Sequence, residues 1–335
     1  MTGRLEVMDQ QDWPGPHVHL VGIGGSGMSA IAWLLLGQGY TVSGSDLQAN
    51  ALTAELEAAG ATIYEGHRAA QIGGADILVI SSAIPERNPE IVAAHAQGVP
   101  VLKRADFLGQ LMADQIGIAV AGTHGKTTTT SMIAHLLLES GRDPSVVVGG
   151  LLPGLGRNGR AGGGLLFVVE ADEYDYMFLG LRPRIAAITN IEHDHPDIFP
   201  TQAAYDRAFR QFVERLPDDG TLIACVDDPG VRRLLTANDF SHFTVTTYGL
   251  EEGRGPEITA VDLRPNQLGG SDFVLLVDGE TEGLVRLRVP GRHNVRNALG
   301  AIAVMLALVI PLGDIYRPLA AFGGVSRRFQ IVGEI

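Results

Sequence analysis

Lysine is nearly absent: Lys103 and Lys126 are the only two among 25 basic residues, and arginine supplies the rest. A lysine in this chain is therefore not casual surface decoration. Positive charge as a whole is short, with 25 Lys+Arg against 38 Asp+Glu and a formal net charge of −13. That balance argues against nucleic acid as the main partner, because phosphate neutralisation needs clustered Lys and Arg. Cys225 is the single cysteine. It excludes an intramolecular disulfide framework and fits a reducing, cytoplasmic compartment. Long apolar runs are missing too. The longest, 298–312, is interrupted by Gly300 and Pro311. It falls short of the roughly 18–20 residues that span a bilayer and reads as a buried helix, not a membrane span. No low-complexity tract occurs, and hydrophobic residues make up 45%, which excludes a mostly disordered chain.

A length of 335 residues predicts two domains at about 100–200 residues each. Residues 1–16 are polar and end in Pro-Gly-Pro, so they read as a flexible leader rather than a secretory signal. Residues 17–114 read as repeated strand–helix units: strands at 17–23, 40–43, 61–64, 75–81 and 99–102, helices at 26–37, 52–59 and 89–97. A second series fills 115–325, with strands at 117–122, 165–170, 184–190, 221–226 and 243–248. Its helices are expected at 126–140, 205–216 and 294–308, with a helix-like segment starting at 318. Alternating runs within 257–289 predict antiparallel hairpins. The fold class is α/β: a Rossmann-like first domain, then a second α/β domain with a small antiparallel β part.

Two glycine-rich turns stand between a strand and a helix. In the first, Gly22, Gly24 and Gly27 match G-x-G-x-x-G, with Gly25 and Ser26 between them and Asp46 at the end of the next strand. Such a turn lets backbone approach a pyrophosphate at a helix N-terminus, and the acid can accept from a ribose hydroxyl. NAD and a UDP-sugar both satisfy this pattern. The second is Gly122-Thr-His-Gly-Lys-Thr127, which departs from the usual phosphate loop in having Val120 where the first glycine would stand. Backbone N–H groups can still form a nest for phosphate oxygens, Lys126 can reach a β- or γ-phosphate, and the Thr127 hydroxyl can bind Mg²⁺. The second loop implies a nucleoside triphosphate, which a simple dehydrogenase would not need.

Acids and histidines follow two apolar strands. One strand ends at Glu170, with Asp172 and Glu173 behind it; the other runs into Asn190-Ile-Glu-His-Asp-His195. Ligands of parallel sheets gather at strand carboxyl ends, so both groups are expected to face the loop at 122–127. His193 and His195 admit zinc, but without a nearby cysteine a hard cation is favoured. Asn294 and Asn297 share a helix face and can meet a base edge, or Asn294 simply caps the helix. Arg327 and Arg328 suit phosphate or ordinary solvated arginine.

Together these motifs resemble the Mur ligases, the ATP-dependent ligases of peptidoglycan precursor synthesis. The resemblance rests on HLVGIGGSGMSAIA (19–32), SGSD (43–46), SSAI (81–84), AGTHGKTTTT (121–130), VEADEYD (169–175), TNIEHDH (189–195), VPGRHNVRNALGAIAV (289–304) and GVSRRFQ (324–330). Within the family it is most similar to the branch that adds L-alanine to UDP-N-acetylmuramate. The alternatives are a related ligase acting on another amino acid or peptide, as in murein-peptide recycling, an NAD-dependent oxidoreductase, and a substrate-binding module without catalysis. The resemblance implies that Gly22, Gly24, Gly25, Ser26 and Gly27 cradle the UDP pyrophosphate. Asp46, Ser81 and Ser82 would lie along the uridine, with His67 and Arg104 as further candidates. ATP would lie on Gly122, Thr123, Gly125, Lys126, Thr127 and Thr128, with His293, Asn294 and Asn297 at adenine. Mg²⁺ would use Thr127, Glu170 and His195, and Arg328 would approach the γ-phosphate. His124 would touch the reacting carboxylate or shape the turn. The family also implies a third domain beginning within 326–335, and hence little ligation by these 335 residues alone. Some relatives carry a carbamylated lysine after the D-H pair; no lysine lies between Asp194 and Ala224 here, in keeping with the alanine-adding branch.

Overall fold

Five parallel strands make the first sheet of the computed structural model, which describes residues 15–152, 154–251 and 255–325. They are β1 (His17–Val21), β2 (Thr41–Asp46), β3 (Thr62–Glu65), β4 (Ile77–Ile80) and β5 (Val101–Lys103), with α1 (Ser26–Gly37), α2 (Ala51–Ala58), α3 (Pro89–Gln97) and α4 (Arg104–Leu111). Their order is β3-β2-β1-β4-β5. Chain direction across the sheet reverses between β1 and β4, the switch point where an open parallel sheet forms a crevice at its carboxyl edge. Register brings the relevant groups to that edge: Val21 pairs with Ser45 on one side and Ile80 on the other.

The second sheet has ten strands: β6 (Ile116–Ala121), β7 (Ser145–Val147), β8 (Gly159–Arg160), β9 (Leu166–Glu170), β10 (Ile185–Ile188), β11 (Thr221–Cys225), β12 (Thr244–Gly249), β13 (Ile258–Pro265), β14 (Ser271–Val277) and β15 (Glu280–Arg286). Helices α5 (Lys126–Glu139), α6 (Gln202–Val213), α7 (Pro229–Ala237), α8 (Arg292–Ala307) and α9 (Gly313–Ala321) complete it. The order is β15-β14-β13-β12-β11-β10-β6-β9-β7-β8. Central strands such as Ile185–Ile188 (IAAI) are apolar at every position and buried at every position, as expected when helices cover both faces. The expected hairpins are present as β13–β14–β15, but β12 pairs with β13 in parallel, so they prolong the parallel sheet rather than form a separate part.

Helices α4 and α7 and strands β7 and β8 go beyond the sequence reading. For α7 the cue was present: Asp228 accepts from the Val231 N–H and Pro229 opens the helix, a recognised start signal. Helix α9 begins at Gly313 and carries Pro318 inside it, where a proline argues locally for a helix start. The segment 326–335, with the expected start of a third domain and Arg327 and Arg328, lies outside the described residues.

Helix α1 is buried at every position from Met28 to Leu35 because it packs on both sides. Its own sheet covers one face. On the other, Asn158 Nδ2 donates to the Ser26 carbonyl (2.6 Å) and to Ser29 Oγ (2.9 Å). Gly159 of β8 comes so close that a Cβ there would sit 2.1 Å from the Ala30 carbonyl oxygen. The edge of the second sheet is thus clamped to the helix that leaves the first glycine turn.

Candidate functional site

Seven of the nine described α-helices start in one of two ways; α4 and α9, after Lys103 and Leu312, also lack a side-chain cap. Asn50, Asn88, Thr201 and Asp228 cap α2, α3, α6 and α7 with their side chains. Helices α1, α5 and α8 start at Gly25, Gly125 and Gly291, with no side-chain cap. Those helix starts leave first-turn N–H groups free to meet an anion or a polar ligand edge.

The first turn is held from below by β2. Gly22 (φ 86°) and Ile23 both donate to the Ser45 carbonyl, at 2.8 and 3.1 Å. The Gly24 N–H donates to Asp46 Oδ2 (2.8 Å), and Asn50 Nδ2 donates to the Gly24 carbonyl (3.1 Å). Asp46 therefore braces the turn. Gly25 and Ser26 are exposed at its tip. Arg104, at the start of α4, lies over Gly27: a Cβ there would fall 1.6 Å from a guanidinium nitrogen. Arg104 also donates to Asp172 Oδ2 (3.2 Å). Ser81 stands against Gly22, whereas Ser82 is exposed. His67 is tied inward, to Ser45 Oγ (2.9 Å) and Glu90 Oε2 (3.1 Å). Glu90 is fully buried and also meets His19 at 3.4 Å. Burial pushes its carboxyl up, but hydrogen bonds from His19 and Ser45 and the charges of His19 and His67 bring it below the usual value of 4.5.

The second turn takes its shape from β10. Gly122 and Gly125 have φ of 138° and 85°, values that favour glycine. Asn190 both accepts from the His124 N–H (2.8 Å) and donates to the His124 carbonyl (2.8 Å), which Thr189 Oγ1 also reaches at 2.6 Å. These bonds pin the backbone of His124, whose side chain is exposed. Thr123 Oγ1 donates to the Glu192 carbonyl (2.8 Å) and meets the Tyr205 hydroxyl (3.0 Å). Thr127 Oγ1 donates to Glu170 Oε1 (2.9 Å), and Glu170 Oε2 accepts from the Gly149 N–H (2.7 Å). Lys126 Nζ lies 2.8 Å from Glu173 Oε2.

The two histidines behave differently. His193 Nε2 contacts the Phe199 carbonyl at 2.7 Å, a loop-shaping bond. His195, in the left-handed region (φ 53°), packs edge-on against Tyr174 and lies 4.0 Å from Glu173 Oε1. It also lies 3.8 Å from Asp194 Oδ2, so its acidic neighbours are Asp194 and Glu173, whereas Thr127 pairs with Glu170.

Beside Gly125 lies the start of α8. Asn294 Nδ2 donates to the Pro290 carbonyl (2.7 Å) and Asn297 Nδ2 to Asn294 Oδ1 (3.3 Å). Thr128, His293, Asn294 and Asn297 line a cavity of about 300 Å³. A second, also about 300 Å³, is bordered by His124, Asn190, Cys225, Tyr248, His293 and Asn297. Burial pushes the Cys225 thiol up to about 11, so it lines the wall as a neutral group. A third cavity, about 160 Å³, runs from the first turn to the acidic strand end: Ser26, Gly27 and Arg104 form one side, Gly149, Glu170 and Asp172 the other.

The structure therefore brings together Thr127 and Glu170, and links Arg104 to the acidic strand end. It gives site positions to Asn190, Tyr205 and Glu173, which the sequence reading left without a role. Asn190 and Glu173 lay inside the motifs; Tyr205, ten residues beyond His195 on a separate helix, gave no local cue.

Fold and site define an α/β protein with two strand–glycine turn–helix units, the cavity beside the first reaching Glu170, the partner of Thr127 in the second. A family model described as "Mur ligase family, catalytic domain" matches residues 17–116, and one described as "Mur ligase middle domain" matches 120–305. The chain belongs to the Mur ligase family. It is 47% identical over 320 residues to the UDP-N-acetylmuramate–L-alanine ligase of Burkholderia cenocepacia (strain HI2424), covering 95% of this chain and 68% of that protein. The enzyme of the same name from Salinibacter ruber is 46% identical, with 95% and 66% covered. Among solved structures, the UDP-N-acetylmuramate-alanine ligase of Thermotoga maritima superposes with a TM-score of 0.83 at 30% identity, covering 95% of this chain and 71% of that one. The UDP-N-acetylmuramate:L-alanyl-γ-D-glutamyl-meso-diaminopimelate ligase of Neisseria meningitides gives 0.82 at 32%, covering 93% and 99%. No helix among the described residues is long and apolar enough to cross a membrane.

Proposed function

We propose that the chain is an ATP-dependent ligase of peptidoglycan precursor synthesis that joins L-alanine to UDP-N-acetylmuramate through an acyl phosphate. The observation that supports the reading is the cavity running from Gly27 and Arg104 to Glu170, whose carboxylate accepts from Thr127 of the second turn. In this reading residues 17–114 bind the UDP-substrate and 115–325 bind ATP. The uncapped start of α1 holds the diphosphate, and Arg104, lying over Gly27, faces it. Lys126 and the N–H groups of 122–127 hold the ATP phosphates. The muramic carboxylate attacks the γ-phosphate in line, ADP leaves, and the alanine amine then displaces phosphate from the acyl carbon. The protein contributes positioning and charge neutralisation.

Mg²⁺ fits the donors present. The Thr127 hydroxyl and Glu170 carboxylate are hard oxygen ligands 2.9 Å apart, and Mg²⁺ favours one or two carboxylates completed by substrate phosphates and water. Bound there it would neutralise phosphate charge. His195, beside Glu173, is the proposed second-site ligand. A cytoplasmic location suits the single cysteine and the chemistry of a UDP-linked precursor.

The similarity to the Neisseria meningitides ligase supports a second reading, in which the amine partner is a peptide that begins with L-alanine. The test is ATP-dependent joining of labelled L-alanine, against labelled L-alanyl-γ-D-glutamyl-meso-diaminopimelate, to UDP-N-acetylmuramate. With the family's third domain present, alanine should be incorporated and the tripeptide not. Incorporation of the tripeptide alone selects the second reading.

A further inference from the structure

We propose that Glu173 is a positioning residue for Lys126: it holds the ammonium back in the nucleotide-free protein and releases it when phosphate arrives. The proposal rests on the reading of 122–127 as the ATP loop. Lys126 Nζ lies 2.8 Å from Oε2 and 3.1 Å from Oε1 of Glu173. It also donates to the carbonyls of Gly122 and Thr123. An ammonium has three protons to give, so protein groups occupy all of them. A phosphate oxygen must displace at least one.

Glu173 is the displaceable partner of consequence. The two carbonyls belong to the loop that Lys126 already sits on, whereas Glu173 reaches in from the segment after β9. Its side chain is 1% exposed, so its charge is desolvated and competes strongly with a phosphate for the same cation. Losing Lys126 would not strand it. The Tyr205 hydroxyl donates to Oε1 at 3.1 Å, and His195 Nε2 stands 4.0 Å away. Burial and the neighbouring Glu173 charge push the Tyr205 hydroxyl far above its usual range, so it remains a donor. The same hydroxyl lies 3.0 Å from Thr123 Oγ1, so Tyr205 keeps Glu173 beside the loop while the lysine moves between them.

The scarcity of lysine makes the test direct. With ¹⁵N-lysine labelling, only Lys126 and Lys103 contribute side-chain ammonium signals, and Lys103 is exposed. The nucleotide-free protein should show one slowly exchanging ammonium signal that shifts on adding a non-hydrolysable ATP analogue. Glu173→Gln should broaden that signal and tighten analogue binding by about tenfold, the scale of one charged hydrogen bond removed from competition. Tyr205→Phe keeps the counter-ion and should keep the slow signal. Unchanged or weaker analogue binding by a folded E173Q protein overturns the proposal. So does a wild-type Lys126 signal that exchanges as fast as Lys103, a readout that needs no variant to fold. If the wild-type protein shows the caged signal but does not bind the analogue, the ATP reading of the loop fails instead.

Discussion

The two glycine turns share a plan and differ in what braces them. The first rests on charged groups, with Asp46 accepting from Gly24 and Arg104 lying across Gly27. No lysine enters it. The second is braced by the neutral Thr189 and Asn190 and keeps its one cation, Lys126, inside the loop. The difference fits their proposed tasks. A diphosphate that only has to be held is met by fixed N–H groups and a guanidinium overhead. A triphosphate that has to react is met by a cation on a flexible stem that can follow the moving charge.

The sharpest way to break this comparison is Lys126→Ala. Binding of an ATP analogue and any ATP-dependent turnover should fall by about 10²–10³-fold. Affinity for UDP-N-acetylmuramate, measured calorimetrically, should stay within about twofold, because the hydrogen bonds of Lys126 go to its own loop and Glu173 and none to the first turn. Equal loss at both sites would show that the turns are not separate. Next in size is Gly122→Ala. The new Cβ would lie 2.1 Å from Thr189 Oγ1 on a backbone with φ 138°, so denaturant unfolding should show a loss of about 2 kcal/mol or more. Gly24→Ala meets only the side-chain ends of Asn50 and Asp46, at 2.8 and 2.9 Å. It should cost less stability and register instead as weaker UDP-substrate binding.

Acid should loosen the first turn's support before it touches the neutral brace of the second. The Glu90 carboxyl is depressed below 4.5, so its share of stability is full above that pH and lost as pH falls through the lower folded value. Glu90→Gln should flatten the acid limb of the stability curve below about pH 4.5. An unchanged acid limb would remove Glu90 from the support of Ser45 and His67. The smallest effect is expected from Asn158→Ala, which deletes the clamp between the sheets. About 1 kcal/mol of stability should go, with each ligand still binding to its own turn.

Much of this was legible in the sequence because backbone chemistry dictates residue type. A strand that ends in Gly22 or Gly122 needs φ above zero, and only glycine adopts that cheaply. Continuous apolar runs marked the central strands because helices cover both faces. What stayed hidden depends on pairing across long separations. Glu173 meets Lys126 from 47 residues away and Tyr205 meets Thr123 from 82, and no local spacing encodes either contact. The inward role of His67 was hidden for the same reason: its partner Glu90 lies in the first turn of α3, where an acid is unremarkable. The parallel pairing of β12 with β13 depended on sheet order, which alternation alone does not supply.

The central claim is that the two turns hold two different nucleotides at once. Calorimetric titration of UDP-N-acetylmuramate into protein saturated with a non-hydrolysable ATP analogue and Mg²⁺ tests it most directly. The account predicts one equivalent of UDP-substrate bound with the analogue still in place. Displacement of one nucleotide by the other would contradict it.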